Sequence, residues 1–211
     1  MTLTEFEKRF EELGSNYKTK DVDTFNKKLI KEKVDVSFLK DIIVSKPQYH
    51  RSYFQVSLGY RKSIEDKLLF IEENFDKLND WWHVDQLLQF TSKKLTFDLA
   101  YQKASVYKKH NNSFVRRWGY VMFINHLAKT NEQLEKLFAL FEDDEEYYVI
   151  MGEAWAISCL GVYYPEETLN YLKLKPLKYD IVGKAVQKIC DSFRIDEEYK
   201  NKFKEIRKYY K

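Results

Sequence analysis

Glycine, proline and cysteine are all scarce in this chain. Its 211 residues include 6 Gly, 3 Pro and 2 Cys. Neither the Gly-rich dinucleotide-binding pattern nor the P-loop pattern is present, so a phosphate-cradling loop is not expected. The two cysteines, Cys159 and Cys190, lack the spacing of a zinc or redox site, and we expect both to be reduced. Few helix breakers together with many Lys, Glu and Leu predict helix throughout.

The histidines show no metal-binding pattern either. His50, His83, His110 and His126 lack H-x-x-x-H or H-E-x-x-H spacing, and no G-x-S-x-G element supplies a nucleophilic serine. His83 is interpreted as a surface or cap-turn histidine. We expect no metal and no cofactor. No apolar run approaches the ~20 residues of a membrane span, and residues 1–13 are charged rather than signal-like. The sequence predicts a cytoplasmic monomer with no membrane partner.

Apolar residues recur at helical spacing along nearly the whole chain. About a dozen helices with short turns are expected, and no segment is convincing as a strand. Asn79-Asp80 is predicted to cap one helix over 81–90, and Asp180 and Asp196 to cap two others. A long apolar helix is expected to end near Val162. Its first four residues, Tyr147-Tyr148-Val149-Ile150, would suit a strand in isolation, but their neighbours favour helix.

Three of the four tryptophans are evenly spaced. Trp81 and Trp118 lie 37 positions apart, as do Trp118 and Trp155, and each interval holds two predicted helices. A period near 40 with two helices per unit is typical of HEAT or armadillo repeats. The sequence therefore predicts an all-α fold, a HEAT- or armadillo-like superhelical solenoid of about a dozen helices.

The solenoid is expected to form one domain over residues 1–211. Within it, residues 1–48 would be divergent N-terminal helices and residues 194–211 a basic C-terminal helix. Basic residues recur from Lys184 and Lys188 onward, interleaved with glutamates. This pattern is typical of a solvated helix face, and it also suits an edge that tracks nucleic-acid phosphates. Both interpretations stay open at this point.

The stretch Trp81-Trp82-His83-Val84-Asp85 is the most informative in the chain. On a helix, positions four apart share a face, so the Trp81 indole would lie beside the Asp85 carboxylate. An aromatic wall next to a carboxylate suits a cationic or electron-poor partner, because an indole face attracts positive charge. The same residues also fit a plain helix start. Trp82, on a different face, is the better candidate for the core.

Two adjacent arginines, Arg116 and Arg117, stand near the start of a predicted helix. Cations are disfavoured at a helix N-terminus, so this placement suggests a specific use. Neighbouring helical positions point about 100° apart, so the two side chains cannot share one face. A pair with a carboxylate of the same chain and a contact with a phosphate explain the arginines equally well.

Three segments in order resemble the DNA alkylation repair proteins of the AlkD type, which are HEAT-like repeat DNA glycosylases. They are Asp80-Trp81-Trp82-His83-Val84-Asp85, Asn112-Ser113-Phe114-Val115-Arg116-Arg117 and Glu153-Ala154-Trp155-Ala156-Ile157. The segments Pro176-Leu177 and Lys184-Ala185-Val186 also resemble the C-terminal end of that family. The resemblance covers roughly residues 49–193. Its first motif is fairly specific, whereas the other two are modest alone.

The resemblance implies that duplex DNA with alkylated bases lies in a basic concave groove. It implies hydrolysis of the N-glycosidic bond of cationic N3- or N7-alkylated purines, without metal and without the base flipping used by most glycosylases. Asp85 matches the catalytic carboxylate, with Trp81 and Trp155 as its aromatic partners. Arg117 matches an arginine that contacts the DNA backbone, with Arg116 beside it.

Ser158 and Lys188 complete the predicted DNA-binding set. Ser158 stands where the family usually has an arginine, one turn after the second tryptophan. Residues 17–33 are lysine-rich instead of rich in aromatic residues and proline. Two hypotheses follow. Asp85 and its two tryptophans favour an alkylpurine DNA glycosylase, whereas Ser158 and the altered N-terminal segment favour a non-catalytic helical-repeat module that binds DNA or protein.

Overall fold

The computed structural model describes residues 1–125, 127–174 and 177–210. His126 and Pro176, both named above, lie outside these ranges, as does Lys211 at the end of the predicted C-terminal helix. The regular structure in the described ranges consists of α-helices and two short 3-10 helices, with no strand. The predicted all-α fold class is confirmed. The helices form two compact units, and the second begins at Leu95.

The first unit is built around a cluster of aromatic rings. Its α-helices are α1 (Leu3–Glu11), α2 (Thr19–Lys31), α3 (Leu39–Ser45), α4 (His50–Gly59), α5 (Ile64–Glu72), α6 (Trp81–Asp85) and α7 (Leu87–Thr91). The 3-10 helices, Pro47–Tyr49 and Phe75–Lys77, precede α4 and α6. Rings of α1, α2 and the first 3-10 helix meet edge to face, with Phe6–Tyr49 centroids 5.1 Å apart and Phe10–Phe25 centroids 5.7 Å apart.

The predicted cap at Asp80 is confirmed, but the single helix predicted over 81–90 is wrong. The Asp80 carboxylate accepts a hydrogen bond from the Trp81 amide at 2.7 Å. After α6 the chain makes a turn at Gln86 before α7. The Gln89 amide donates to the Gln86 carbonyl only three residues earlier, a 3-10 bond that interrupts the α-helical ladder.

The second unit has stacked helices. They are α8 (Phe97–Tyr107), α9 (Ser113–Val121), α10 (Asn131–Phe138), α11 (Tyr147–Tyr163), α12 (Pro165–Leu174), α13 (Tyr179–Asp191) and α14 (Glu197–Tyr209). Helix α11 packs between α9 and α13. Helices α8, α12 and α14 pack against α9, α11 and α13, respectively, so six of the seven helices described for this unit lie in three pairs.

Two further helix starts test the predicted caps. Asp196 caps α14, since its carboxylate accepts from the Tyr199 amide at 2.9 Å, as predicted. Asp180 is not a cap, because α13 already begins at Tyr179 with Lys178 in the capping position. A contact distant in sequence sets this start: the Lys178 amide donates to the Asp143 carboxylate at 2.7 Å. The long apolar helix is confirmed as α11.

The evenly spaced tryptophans occupy different environments. Trp81 opens α6 and is 46% exposed, whereas Trp118 lies within α9 and is fully buried. Trp155 lies in the middle of α11 and is half-buried. The spacing of 37 positions therefore does not mark equivalent places in the fold, because the three indoles differ in burial and in their position along the helix.

Gly161 allows α11 and α13 to approach closely. A Cβ atom built there would lie 2.4 Å from Ile189 Cδ1 and 3.2 Å from Phe203. Both neighbours are fully buried, so neither has free space into which it can move. A side chain at position 161 would therefore overpack this core.

We expect Gly161→Ala to destabilise the protein by about 1–3 kcal/mol, the usual cost of overpacking a filled core. Gly183→Ala is the matched control, because a Cβ there would meet the Tyr179 ring at an ordinary 3.4 Å. Alanine suits a helix better than glycine, so the control should be neutral or stabilising by up to about 1 kcal/mol. Urea unfolding midpoints measure both. Equal stability of the two variants would contradict the inferred close packing.

Candidate functional site

The predicted Trp81–Asp85 pair lies on the surface side of α6. Trp81 is 46% exposed and Asp85 is half-buried one turn later. His83 and Val84, between them, are buried and anchor the helix to the interior. The indole and the carboxylate therefore share the outer face of one short helix, as the four-residue spacing predicts.

On the buried side of α6, its own His83 stacks on His50 of α4. The rings of His50 and His83 are parallel within 3°, with centroids 3.5 Å apart. His50 Nε2 lies 3.0 Å from the Lys77 carbonyl, and its Nδ1 lies 2.7 Å from Gln86 Nε2. A carbonyl only accepts and the amide nitrogen only donates, so His50 carries its proton on Nε2 and is neutral.

His83 is also held neutral. Its Nδ1 accepts a hydrogen bond from the Asn79 amide at 3.3 Å, so it does serve the turn before α6. The interpretation as a surface residue is wrong, because the side chain is only 2% exposed. Burial lowers the pKa of His50 to about 3, with a further lowering from His83, and burial lowers the pKa of His83 to about 4. Neutral rings stack without charge repulsion.

Trp82 closes this cluster from the side. Its ring meets His83 edge-on at 4.1 Å between centroids and His50 at 5.3 Å. It is half-buried, in keeping with its predicted role towards the core. The Trp81 and Trp82 indoles therefore do different things: the first faces solvent and the second packs on the histidines.

Three of the predicted site residues line one cleft in the second unit. Trp155, Ser158 and Lys188 meet around a cavity of about 550 Å³ between α11 and α13. Its other lining residues are Ile124, Asn125, Cys159, Val162, Tyr163, Asp191, Ser192 and Arg194. Burial raises the pKa of the Cys159 thiol to about 11, so it stays protonated and is a poor nucleophile.

The polar groups of this cleft differ in their freedom to bind a ligand. The Ser158 hydroxyl donates to the Trp155 carbonyl at 2.8 Å and is satisfied within its own helix. The Arg194 guanidinium donates to the Tyr163 hydroxyl at 3.2 Å. Lys188 lines the cleft and has no salt bridge among the described residues. The cleft thus offers an indole face beside positive charge.

The two predicted arginines of α9 are engaged in the fold. The Arg116 Nε donates to the Asp144 carboxylate at 2.7 Å, and its Nη1 donates to the His110 and Asn111 carbonyls. The Arg117 side chain is 4% exposed and donates to the Tyr148 carbonyl at 2.9 Å. Both guanidiniums tie α9 to the approach to α11 and its first turn, and their contact with DNA stays a prediction.

A model of the family described as DNA alkylation repair enzyme matches residues 14–189. The chain belongs to the DNA alkylation repair enzyme family. The matched range takes in α6, the arginines of α9 and all of α11. Comparisons with curated proteins and with solved structures give no significant match.

In this DNA alkylation repair family member, the described residues contain no cluster of three or more His, Cys, Asp or Glu able to hold a metal ion. Among the same residues, no helix has both the length and the apolar character needed to cross a bilayer. Trp81 and Asp85 belong to the first unit, whereas Trp155, Ser158 and Lys188 belong to the second.

Sequence reasoning missed the buried cluster of His50, His83 and Gln86. His50 and His83 are 33 positions apart, and no short motif joins residues at that distance. The one available signal was the apolar neighbourhood of His83, between Trp82 and Val84, which is unusual for a surface histidine.

We expect acid to destabilise this protein through the two histidines. Their pKa is about 6.5 when unfolded and falls to about 3 and about 4 in the fold, so below pH 6.5 the unfolded chain binds more protons. Stability should therefore fall by up to about 1.4 kcal/mol per pH unit for each histidine as pH drops from 6.5 towards 4. Denaturant unfolding at several pH values measures this slope.

His50→Gln should flatten that slope, because it removes the imidazole whose pKa is lowered most and ends its charge interaction with His83. An unchanged slope in the His50 variant would show that other groups cause the acid sensitivity.

Proposed function

We propose that this chain is a DNA glycosylase that hydrolyses the N-glycosidic bond of cationic N3- or N7-alkylated purines in duplex DNA. One observation carries the proposal: an exposed indole, Trp81, and a half-buried carboxylate, Asp85, share a face of α6 in a member of the DNA alkylation repair enzyme family.

The chemistry needs few groups. An alkylated purine is already cationic and leaves readily, so no strong general acid is required. The deoxyribose gains oxocarbenium character as the bond to the base breaks, and the Asp85 carboxylate stabilises that charge. The same carboxylate orients the attacking water, which adds to the sugar carbon and passes a proton to Asp85, while the alkylated purine leaves as a neutral base. The face of the Trp81 indole attracts the positive charge of the sugar or the lesion.

The support behind α6 suits this role. A helix of five residues is not stable by itself, so its position depends on the contacts that it makes. The stacked histidines and the Gln86 side chain supply such contacts from buried, neutral groups. These groups are buried and uncharged at neutral pH. They therefore hold α6 in place without adding a second negative charge that could bind a cationic substrate instead of Asp85.

The second unit is proposed to hold the DNA. The half-buried Trp155 offers an aromatic face, and Lys188 supplies a charge for a backbone phosphate. This proposal needs neither a metal ion nor the extrusion of the damaged base from the helix, and so it differs from the mechanism of base-flipping glycosylases.

We expect Asp85→Asn to slow base release on the order of 10²–10³-fold, the usual cost of losing one electrostatic contact to a transition state. Asp66→Asn is the matched control, because Asp66 is an exposed aspartate of the same unit. Release of 7-methylguanine and 3-methyladenine from alkylated duplex DNA is measured under single-turnover conditions. Equal rates for the two variants would remove Asp85 from the mechanism.

A non-catalytic helical-repeat module that binds DNA or protein is the second candidate. It is favoured by the contacts that Arg116, Arg117 and Ser158 make within the protein, because these side chains are then less available to hold a damaged duplex for catalysis. The same assay separates the candidates. A wild-type protein that binds DNA but releases no base at high protein concentration would support the module and overturn the glycosylase.

A further inference from the structure

A second cleft adjoins the one that contains Trp155. It has a volume of about 440 Å³ and is formed by α11, α13 and α14. Its lining residues are Met151, Tyr179, Asp180, Gly183, Lys184, Gln187, Lys188, Asp191 and Arg207. Lys188 and Asp191 line both clefts, so the two are continuous along α13. Arg207 comes from α14, beyond the residues that the family model matches.

Two cations of this second cleft, Lys184 and Arg207, are held by neutral groups. Lys184 Nζ lies 5.2 Å from the centre of the Tyr147 ring. Arg207 Nε lies 3.4 Å from the Tyr179 hydroxyl, and its Nη1 lies 3.4 Å from the Gln187 side-chain oxygen. Such contacts orient a cation without neutralising it.

Arg194 follows the same pattern in the first cleft, because its contact is the Tyr163 hydroxyl at 3.2 Å. In the part of the chain that the structure describes, Lys184, Lys188, Arg194 and Arg207 make no salt bridge. Two carboxylates also line the surface. Asp191 accepts a hydrogen bond from Gln187 at 3.0 Å, and Asp180 lies at the edge of the second cleft. Four cations against two carboxylates leave the surface positive.

Three of the four lysines of α14 are neutralised by carboxylates, whereas Lys204 contacts the Asn201 side-chain oxygen at 3.3 Å. Lys200 pairs with Glu197 at 2.8 Å, Lys202 with Glu198 at 2.8 Å and Lys208 with Glu205 at 2.6 Å. Exposed pairs of this kind add little stability, but each cancels a charge. Of the five cations between Lys184 and Lys208 that make no salt bridge among the described residues, four line the clefts, and Lys204 is the fifth.

We propose that the track of phosphate contacts in the DNA site extends beyond the family-matched residues onto α14, where Arg207 binds a backbone phosphate. The track consists of Lys184, Lys188, Arg194 and Arg207. The choice of DNA as the ligand rests on the proposed function. The guanidinium of Arg207 suits the role, because its fork of donors matches phosphate oxygens and retains its charge at any physiological pH.

The experiment measures binding to an undamaged, fluorescently labelled DNA duplex by anisotropy at several salt concentrations. Arg207→Gln should weaken binding about three- to tenfold and reduce the slope of log K against log salt by about one, as expected for one lost phosphate contact. Lys208→Gln removes the same charge from the next position, where Glu205 already cancels it. This control should bind nearly as the wild type does.

If Arg207→Gln and Lys208→Gln lowered the affinity for DNA equally, the change in net charge alone would explain the result, and the track would be overturned. No loss for Arg207→Gln would overturn it as well. Arg207→Lys guards against a folding artefact, since it keeps the charge and should restore most of the salt slope. Melting temperatures of all three variants, matched to the wild type, complete that control.

A competition measurement distinguishes binding of a DNA backbone from binding of a free anion. Inorganic phosphate should displace the duplex no better than chloride at equal ionic strength, and selective displacement by phosphate would instead indicate a site for a free phosphate ion. Because the duplex is undamaged, binding is scored without base release. Failure of the track therefore appears in anisotropy, whereas failure of the glycosylase proposal appears in the base-release assay.

Discussion

The burial of α11 is the constraint on which the second unit depends. This helix carries apolar side chains around most of its circumference, so it is stable only when other helices surround it. Helices α9, α12 and α13 do so, and Gly161 lets α13 come close enough to fill the gap. The strip that they leave uncovered holds Trp155 and Tyr163. The cleft proposed to bind DNA is therefore a consequence of where the packing of α11 ends.

In the first unit, the main constraint is that the very short helix α6 must be held in place by contacts with its neighbours. Helix α6 has too few residues to be stable alone, and it is held by a cluster of buried polar groups. His50 has both ring nitrogens bonded, to Lys77 and Gln86, which is the condition under which a buried polar group does not cost stability. This arrangement requires neutral rings, because a proton added to either ring would place a buried charge against the stacked neighbour.

Charge along this chain matters through its placement rather than its total. The net charge of +3 says little about a partner. The structure sorts the basic residues into those cancelled by a carboxylate, such as Arg116 against Asp144, and those held by aromatic or amide groups, such as Lys184 and Arg207. A cation of the second kind keeps a field that attracts a phosphate. The proposed phosphate contact of Arg207 depends on this difference.

Helix content, the caps at Asp80 and Asp196, and the pairing of Trp81 with Asp85 on one face were all determined by sequence alone. These are local properties, set by residues within four positions of one another. Only the tertiary structure decided which charges are cancelled, which histidines meet and where α13 begins. Asp144 reaches Arg116 across 28 positions, and Asp143 reaches Lys178 across 35. Such contacts depend on how helices pack, and no local pattern encodes them.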